Sequence, residues 1–290
     1  MPTKPLPPRL YKYQPFNAQT LANIHEQAIW FSAPIKFNDP YDCALSVVEF
    51  DKISEPNFQR ALDYARGRDP ALAARMCPDG VPTSKFREAV VGSIRRTYAE
   101  RLVIQREQRG IACFSAHVTD LMMWSHYADG HRGFCLEFDT SLPPFSRALE
   151  VNYSDSVPTI DPIDVLVEKY READGNELLK AFVLTKALCW SYEREWRLIH
   201  EEPNKQYGYG DGPLTGVYFG TAMPAAHKGI ICLMLRDTRV QFHEMLRDDR
   251  SFSLTPRVGT YRPFPHGERG AAPGSSAAES KSNPARPISG

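Results

Sequence analysis

Apolar residues recur along this chain in two rhythms, every second position in short runs and every third or fourth in longer ones, and these predict strands and helices respectively. Leu10 to Tyr13 alternates and predicts a first strand. Asn17 stands as the N-cap of a helix whose apolar stripe is Leu21 and Ile24. Ala28 to Ser32, rich in β-branched and aromatic residues, predicts a second strand, closed by the turn Phe37-Asn38-Asp39-Pro40. From Asn57 to Gln108 the period is helical and breaks at Cys77-Pro78-Asp79-Gly80, which predicts helices over about 57–76 and 84–107. Ile111 to Ser115 reads as a buried strand, Asp120 to Ala128 as a short amphipathic helix, and Gly133 to Phe138 as a strand after the Asp129-Gly130 turn. Further on, the pattern predicts a strand at Leu149 to Tyr153 and helices near 160–172 and 175–188. Strands follow at about 195–200, 215–219, 230–235 and 239–243, with Gly208-Tyr209-Gly210-Asp211-Gly212 as a flexible turn.

Short strands with helices grouped in blocks, and no internal repeat, indicate an α+β fold built on a mixed sheet. The reading is a single domain over about residues 8–262 with a helical insert at about 55–108. Residues 263–290 are dominated by Pro, Gly, Ala and Ser and carry too little apolar surface to offset their ordering entropy, so a disordered tail is expected. Lys plus Arg (35) equals Asp plus Glu (35), which removes the long-range field of a protein made to cling to nucleic acid or anionic lipid. The six cysteines include no C-x-x-C and sit mostly among apolar neighbours, as reduced thiols do. With neither a signal-peptide pattern at the N-terminus nor an apolar run of about 18 residues, a cytoplasmic protein with no membrane partner is expected.

Three stretches carry candidate chemistry. In Tyr192-Glu193-Arg194-Glu195-Trp196-Arg197, an extended backbone would place Glu193 and Glu195 on one face. Close like charges raise the pKa of one member, leaving one hydrogen-bonding acid and one anion suited to chemistry through a cationic sugar. The plainer reading pairs them with Arg194, Arg197 or Lys186 on a solvated strand. In the second stretch, Ser115 ends an apolar strand where it can bond a ligand or cap the next helix. His126 is a candidate general acid or base, and Trp124 and Tyr127 offer flat faces to a nicotinamide or adenine ring, or fill the core. His126 and His131 are five apart and no H-E-x-x-H is present, so no metal is expected there. The third stretch, Phe37-Asn38-Asp39-Pro40-Tyr41-Asp42, is a polar turn whose two aspartates are too few for a Mg²⁺ site. P-loop, G-x-G-x-x-G and G-x-S-x-G patterns are absent.

Taken in order, Leu10-Tyr11-Lys12-Tyr13, Ile29-Trp30-Phe31-Ser32, Phe37 to Asp42, Cys113-Phe114-Ser115, Met123 to Ala128, Gly133 to Phe138 and Tyr192 to Arg197 resemble the bacterial family called domain of unknown function 2971. A second, more distant resemblance is to the ADP-ribosyltransferase fold. It implies an NAD cleft lined by Tyr11 and Tyr13 of the first strand, Ser115 at the nicotinamide ribose and Glu195 as principal catalytic residue, with Glu193 before it. His126 completes the catalytic candidates, and Asn38 and Trp124 complete the cofactor-binding ones. NAD would then be a substrate, the acceptor a protein, a nucleic acid or water, and the role that of a toxin, an effector or a phage-defence component. Two alternatives stand beside it: a metal-assisted hydrolase or nuclease using His126, His131, Asp39 and Asp42, and a non-catalytic binding or sensor module.

Overall fold

The computed structural model describes residues 5–43, 52–159, 161–167 and 182–259. The expected tail after residue 262, and residues 160, 168–172 and 175–181 of the expected helices at 160–172 and 175–188, lie outside the described residues.

An eight-stranded sheet forms the centre. In chain order its strands are β1 (Arg9–Gln14), β3 (Gly110–Ser115), β4 (Phe134–Asp139), β5 (Leu149–Glu150), β8 (Glu195–His200), β10 (Leu214–Phe219), β11 (Gln241–Arg247) and β12 (Leu254–Val258). They lie side by side as β12-β11-β10-β4-β1-β3-β8-β5, all antiparallel except β10 with β11. Two small pairs flank the sheet: β2 (Ala28–Phe31) with β9 (Lys205–Gly208), antiparallel, and β6 (Asn152–Ser154) with β7 (Thr185–Ala187), parallel. The result is an α+β fold with a mixed, mostly antiparallel sheet.

Alternation along the strands sorts residues to two faces. Phe134, Leu136 and Phe138 of β4 join Leu10, Phe114, Trp196, Val217 and Phe219 in the larger core, while Cys135 faces the other side with Tyr13, Tyr218 and Met245. Helix α1 (Ala18–His25) covers the first face with Ile24, its Asn17 cap accepting the Thr20 amide as the sequence predicts. Helix α5 (Leu121–Tyr127) covers the second with Met123 and Trp124, and Asp120 caps its first turn. The long helical stretch resolves into α2 (Glu55–Arg68), α3 (Pro70–Met76) and α4 (Ser84–Glu107). With α6 (Pro162–Leu166), they enclose a core of their own around Phe58, Leu62, Phe86 and Ile94. Its first helix ends earlier than periodicity predicts, because Asp69 caps a new helix at Pro70.

The expected strand at 230–235 is instead helix α7 (Ala225–Met234). Ile231, Cys232 and Leu235 are buried while Ile230 and Leu233 are exposed, a helical spacing that a continuous apolar run conceals. The helix expected to reach residue 188 gives way to β7 and a 3-10 segment, Leu188–Glu193. The supposed flexible turn begins in β9, and Tyr209 is a buried core residue packed on Phe138. β12 is not foreshadowed by the sequence pattern: four of its five residues are exposed. No helix among the described residues is long and apolar enough to cross a membrane.

Candidate active site

The sheet comes apart between two of its central strands. β1 pairs with β4 along all six of its residues, and β3 pairs with β8 along all six of its own, yet β1 and β3 are joined at one position, Tyr11 opposite Ser115. Beyond that pair the strands diverge, and a cavity of about 540 Å³ opens between them. This lies in the range of small-molecule sites. Lys12 bridges the gap, its Nζ donating to the Cys113 carbonyl at 3.1 Å in place of a ladder bond. Tyr13 is anchored at the far side by donation to the His117 carbonyl at 2.8 Å.

The floor carries an ion network. Arg197, wholly buried on β8, donates from Nε and Nη2 to the two Glu195 oxygens at 2.7 and 3.0 Å. The same guanidinium reaches Asp42 at 2.8 Å and the Val183 carbonyl at 2.7 Å. Lys186 of β7 donates to Glu193 and to Glu195, the latter at 3.1 Å, and lies 3.4 Å from Asp42. The Tyr127 hydroxyl donates to Glu193 at 2.6 Å, and the side chain of Asn38 hydrogen-bonds that tyrosine in turn. Three carboxyl groups thus face two cations in a site shielded from water, where each interaction is stronger than at the surface.

This environment separates the two glutamates. Burial raises the Glu193 pKa above the usual carboxylate range and the neighbouring Glu195 adds to the rise, while Lys186 opposes it. Burial acts in the same upward direction on Glu195, but the Arg197 and Lys186 charges outweigh it and hold that group well below the usual range. Glu193 is thereby the weaker acid of the pair and Glu195 the stronger.

The two side chains do not converge by strand alternation, as the sequence predicts. Glu193 ends the 3-10 segment, Glu195 begins β8, and Arg194 between them takes a left-handed conformation with φ 45°. That residue turns the backbone so that both carboxyls enter the cavity while its own guanidinium leaves toward His117. Of the three cations considered as partners, Arg197 and Lys186 make the ion pairs, buried rather than solvated.

The structure brings Tyr11, Tyr13, Asn38, Ser115, His126, Glu193 and Glu195 to this one cavity. Ser115 is buried, its hydroxyl oxygen accepting the His117 amide. His126 is exposed at the rim, its Nδ1 3.0 Å from the Tyr192 hydroxyl. Trp124 does not line the cavity. It is fully buried, its indole N–H donates to the Val118 carbonyl at 2.6 Å, and its ring packs against Tyr13 and His131, so no face is free for a ligand. His131 also lies elsewhere, near Ser125, and among the described residues no three His, Cys, Asp or Glu side chains are placed to hold a metal ion. From sequence alone, Lys186 and Arg197 are partners on a solvated strand, and Asp42 belongs to a polar turn with metal binding as its alternative. Their joint role had no local signal, because Asp42 and Lys186 lie 155 and 11 positions from Arg197 along the chain.

Residues 123–198 match the model of a family described as Protein of unknown function (DUF2971). The match supports the family resemblance carried by the motifs. It runs from α5 into β8 and includes Tyr127, Lys186, both glutamates and Arg197, whereas the β1 wall and the 37–42 turn lie outside it. No curated protein and no solved structure matches the chain, so the likeness to the ADP-ribosyltransferase fold has no structural neighbour behind it.

Proposed function

We propose that the chain binds a nucleotide in the β1–β3 cleft and breaks an N-glycosidic bond to its ribose, with NAD as the first substrate to test. The observation that carries this reading is the adjacent pair of carboxyl groups, pushed apart in pKa, opening into the same cavity as Tyr13 and Ser115. Departure of nicotinamide leaves positive charge on the ribose, and an anion already fixed by Arg197 and Lys186 stabilises that charge without reorganising. Glu193, the weaker acid of the pair, stands beside it to exchange a hydrogen bond with a ribose hydroxyl, while the aromatic walls of Tyr11, Tyr13 and Trp30 suit a planar base. The released ribosyl group passes to water, a protein side chain or a nucleic acid.

A second reading, a binding module without chemistry, is favoured by one observation: both Glu195 oxygens are already engaged by Arg197 and Lys186. One titration separates the two. Purified protein is incubated with NAD, free nicotinamide is followed by chromatography, and binding is measured by calorimetry. The reading expects release that is lost in Glu195→Gln and Ser115→Ala variants retaining a cooperative melt. Binding without release transfers the case to the module, and neither binding nor release overturns both.

A further inference from the structure

One nucleophile in the cavity has no place in the ion network. Lys12 of β1 lines the cleft, yet among the described residues no carboxylate forms an ion pair with it. Its Nζ donates one hydrogen bond, to the Cys113 carbonyl, and lies 5.1 Å from the centroid of the Phe114 ring. An ammonium so placed spends one of its three N–H groups on a neutral carbonyl and none on a carboxylate. Burial therefore lowers the amine's pKa, with Cys113 and Glu195 opposing it. Amines desolvated in this way are the ones that condense with carbonyl compounds. The surrounding wall carries Asn17, Gln19, Ser32 and Asn38, amide and hydroxyl groups that suit a ligand rich in hydroxyls.

We propose that the Lys12 amine is a carbonyl-trapping nucleophile that condenses with the open-chain aldehyde of a sugar held between β1 and β3. The neutral Nζ adds its lone pair to the aldehyde carbon, and a proton passes from nitrogen to the new alkoxide to give a carbinolamine. Protonation of that hydroxyl and loss of one water form the iminium, and addition of water reverses every step without oxidant or reductant. Glu193, lining the same cavity with its raised pKa, supplies the proton for water loss. A ribose freed at its anomeric carbon is the product of the reaction proposed above, so the choice of sugar rests on that reading. The reactivity of the amine does not.

The test uses the full chain, ribose 5-phosphate as the aldehyde probe and cyanoborohydride to reduce any imine to a stable secondary amine, with adducts mapped by peptide mass spectrometry near neutral pH. Lys12 is expected to be labelled faster than the exposed Lys85, since an amine of lowered pKa carries more free base near neutral pH. A Lys12→Arg variant, which keeps the cation, is expected to lose that adduct and retain the background on other lysines. Labelling of Lys12 no faster than Lys85 overturns the proposal. Because the probe already carries a free aldehyde, a Lys12 adduct without nicotinamide release leaves this inference standing and removes the glycosidic reading. Release without the adduct does the opposite.

Discussion

Replacing Arg197 by Met removes the cation at the centre of the buried network while keeping most of its volume. The wild-type guanidinium makes two bonds to Glu195 at 2.7 and 3.0 Å, one to Asp42 at 2.8 Å and one to the Val183 carbonyl at 2.7 Å, all without solvent contact. The variant leaves the buried carboxyl groups of Asp42, Glu193 and Glu195 facing Lys186 alone, and the Val183 carbonyl without its donor. Breaking a buried pair from one side costs about 3–5 kcal/mol. At about 2–4 °C per kcal/mol for a chain of this size, the melting temperature is expected to fall by about 6–20 °C. The loss depends on pH in a direction set by Glu195. Its folded pKa lies below the unfolded value of about 4.3, so its contribution is complete above that value and disappears as pH falls through the folded pKa. The gap between wild type and variant is therefore expected to be widest above about pH 5 and to narrow in acid. Thermal melts across pH, with ¹³C titration of labelled glutamate, measure both effects. A fall of less than about 2 °C, or a Glu195 resonance titrating as before, would refute the claim that Arg197 holds this carboxylate anionic.

Other substitutions probe neighbouring parts of the cleft and the sheet. Glu195→Gln strands Arg197 and is expected to cost about 3 kcal/mol or more in chemical denaturation, whereas Glu193→Gln, whose amide oxygen still accepts from Lys186 and whose NH2 can donate to the Tyr127 hydroxyl oxygen, costs about 1 kcal/mol. Because the Glu193 pKa is raised on folding, wild type loses stability as pH climbs from the unfolded carboxylate range through the folded pKa, and Glu193→Gln is expected to abolish that slope. Trp124→Phe leaves the Val118 carbonyl without its donor and is expected to cost about 1–3 kcal/mol while leaving nucleotide affinity measured by calorimetry unchanged. Gly133→Ala would place a methyl carbon 2.2 Å from the Gln14 carbonyl oxygen, forcing β1 away from β4. A loss of at least about 3 kcal/mol is expected, read from the urea midpoint, and a wild-type midpoint would show that the strands separate freely.

Local chemistry alone was enough to determine several features. The Asn17 cap, the strand runs at Leu10, Ile111, Phe134 and Glu195, and the helical period of residues 84–107 follow from backbone preference and side-chain spacing, which act over a few residues. The stretch Tyr192 to Arg197 likewise announced a pair of acids. It did not announce which would hold a proton, because that depends on Lys186, Arg197 and Asp42, which the tertiary fold brings around them. Nor did aromatic character decide whether Trp124 met a ligand or the core: the Val118 carbonyl and the Tyr13 ring did, through packing. An apolar run such as Ile230 to Met234 suits a strand and a helix equally, and only the surface it packs against selects between them. The cleft itself has no counterpart in the primary structure. It exists because β1 is pulled into register with β4 and β3 with β8, so that the two central strands part after a single pair, and pairing between distant segments is a property of the folded chain alone.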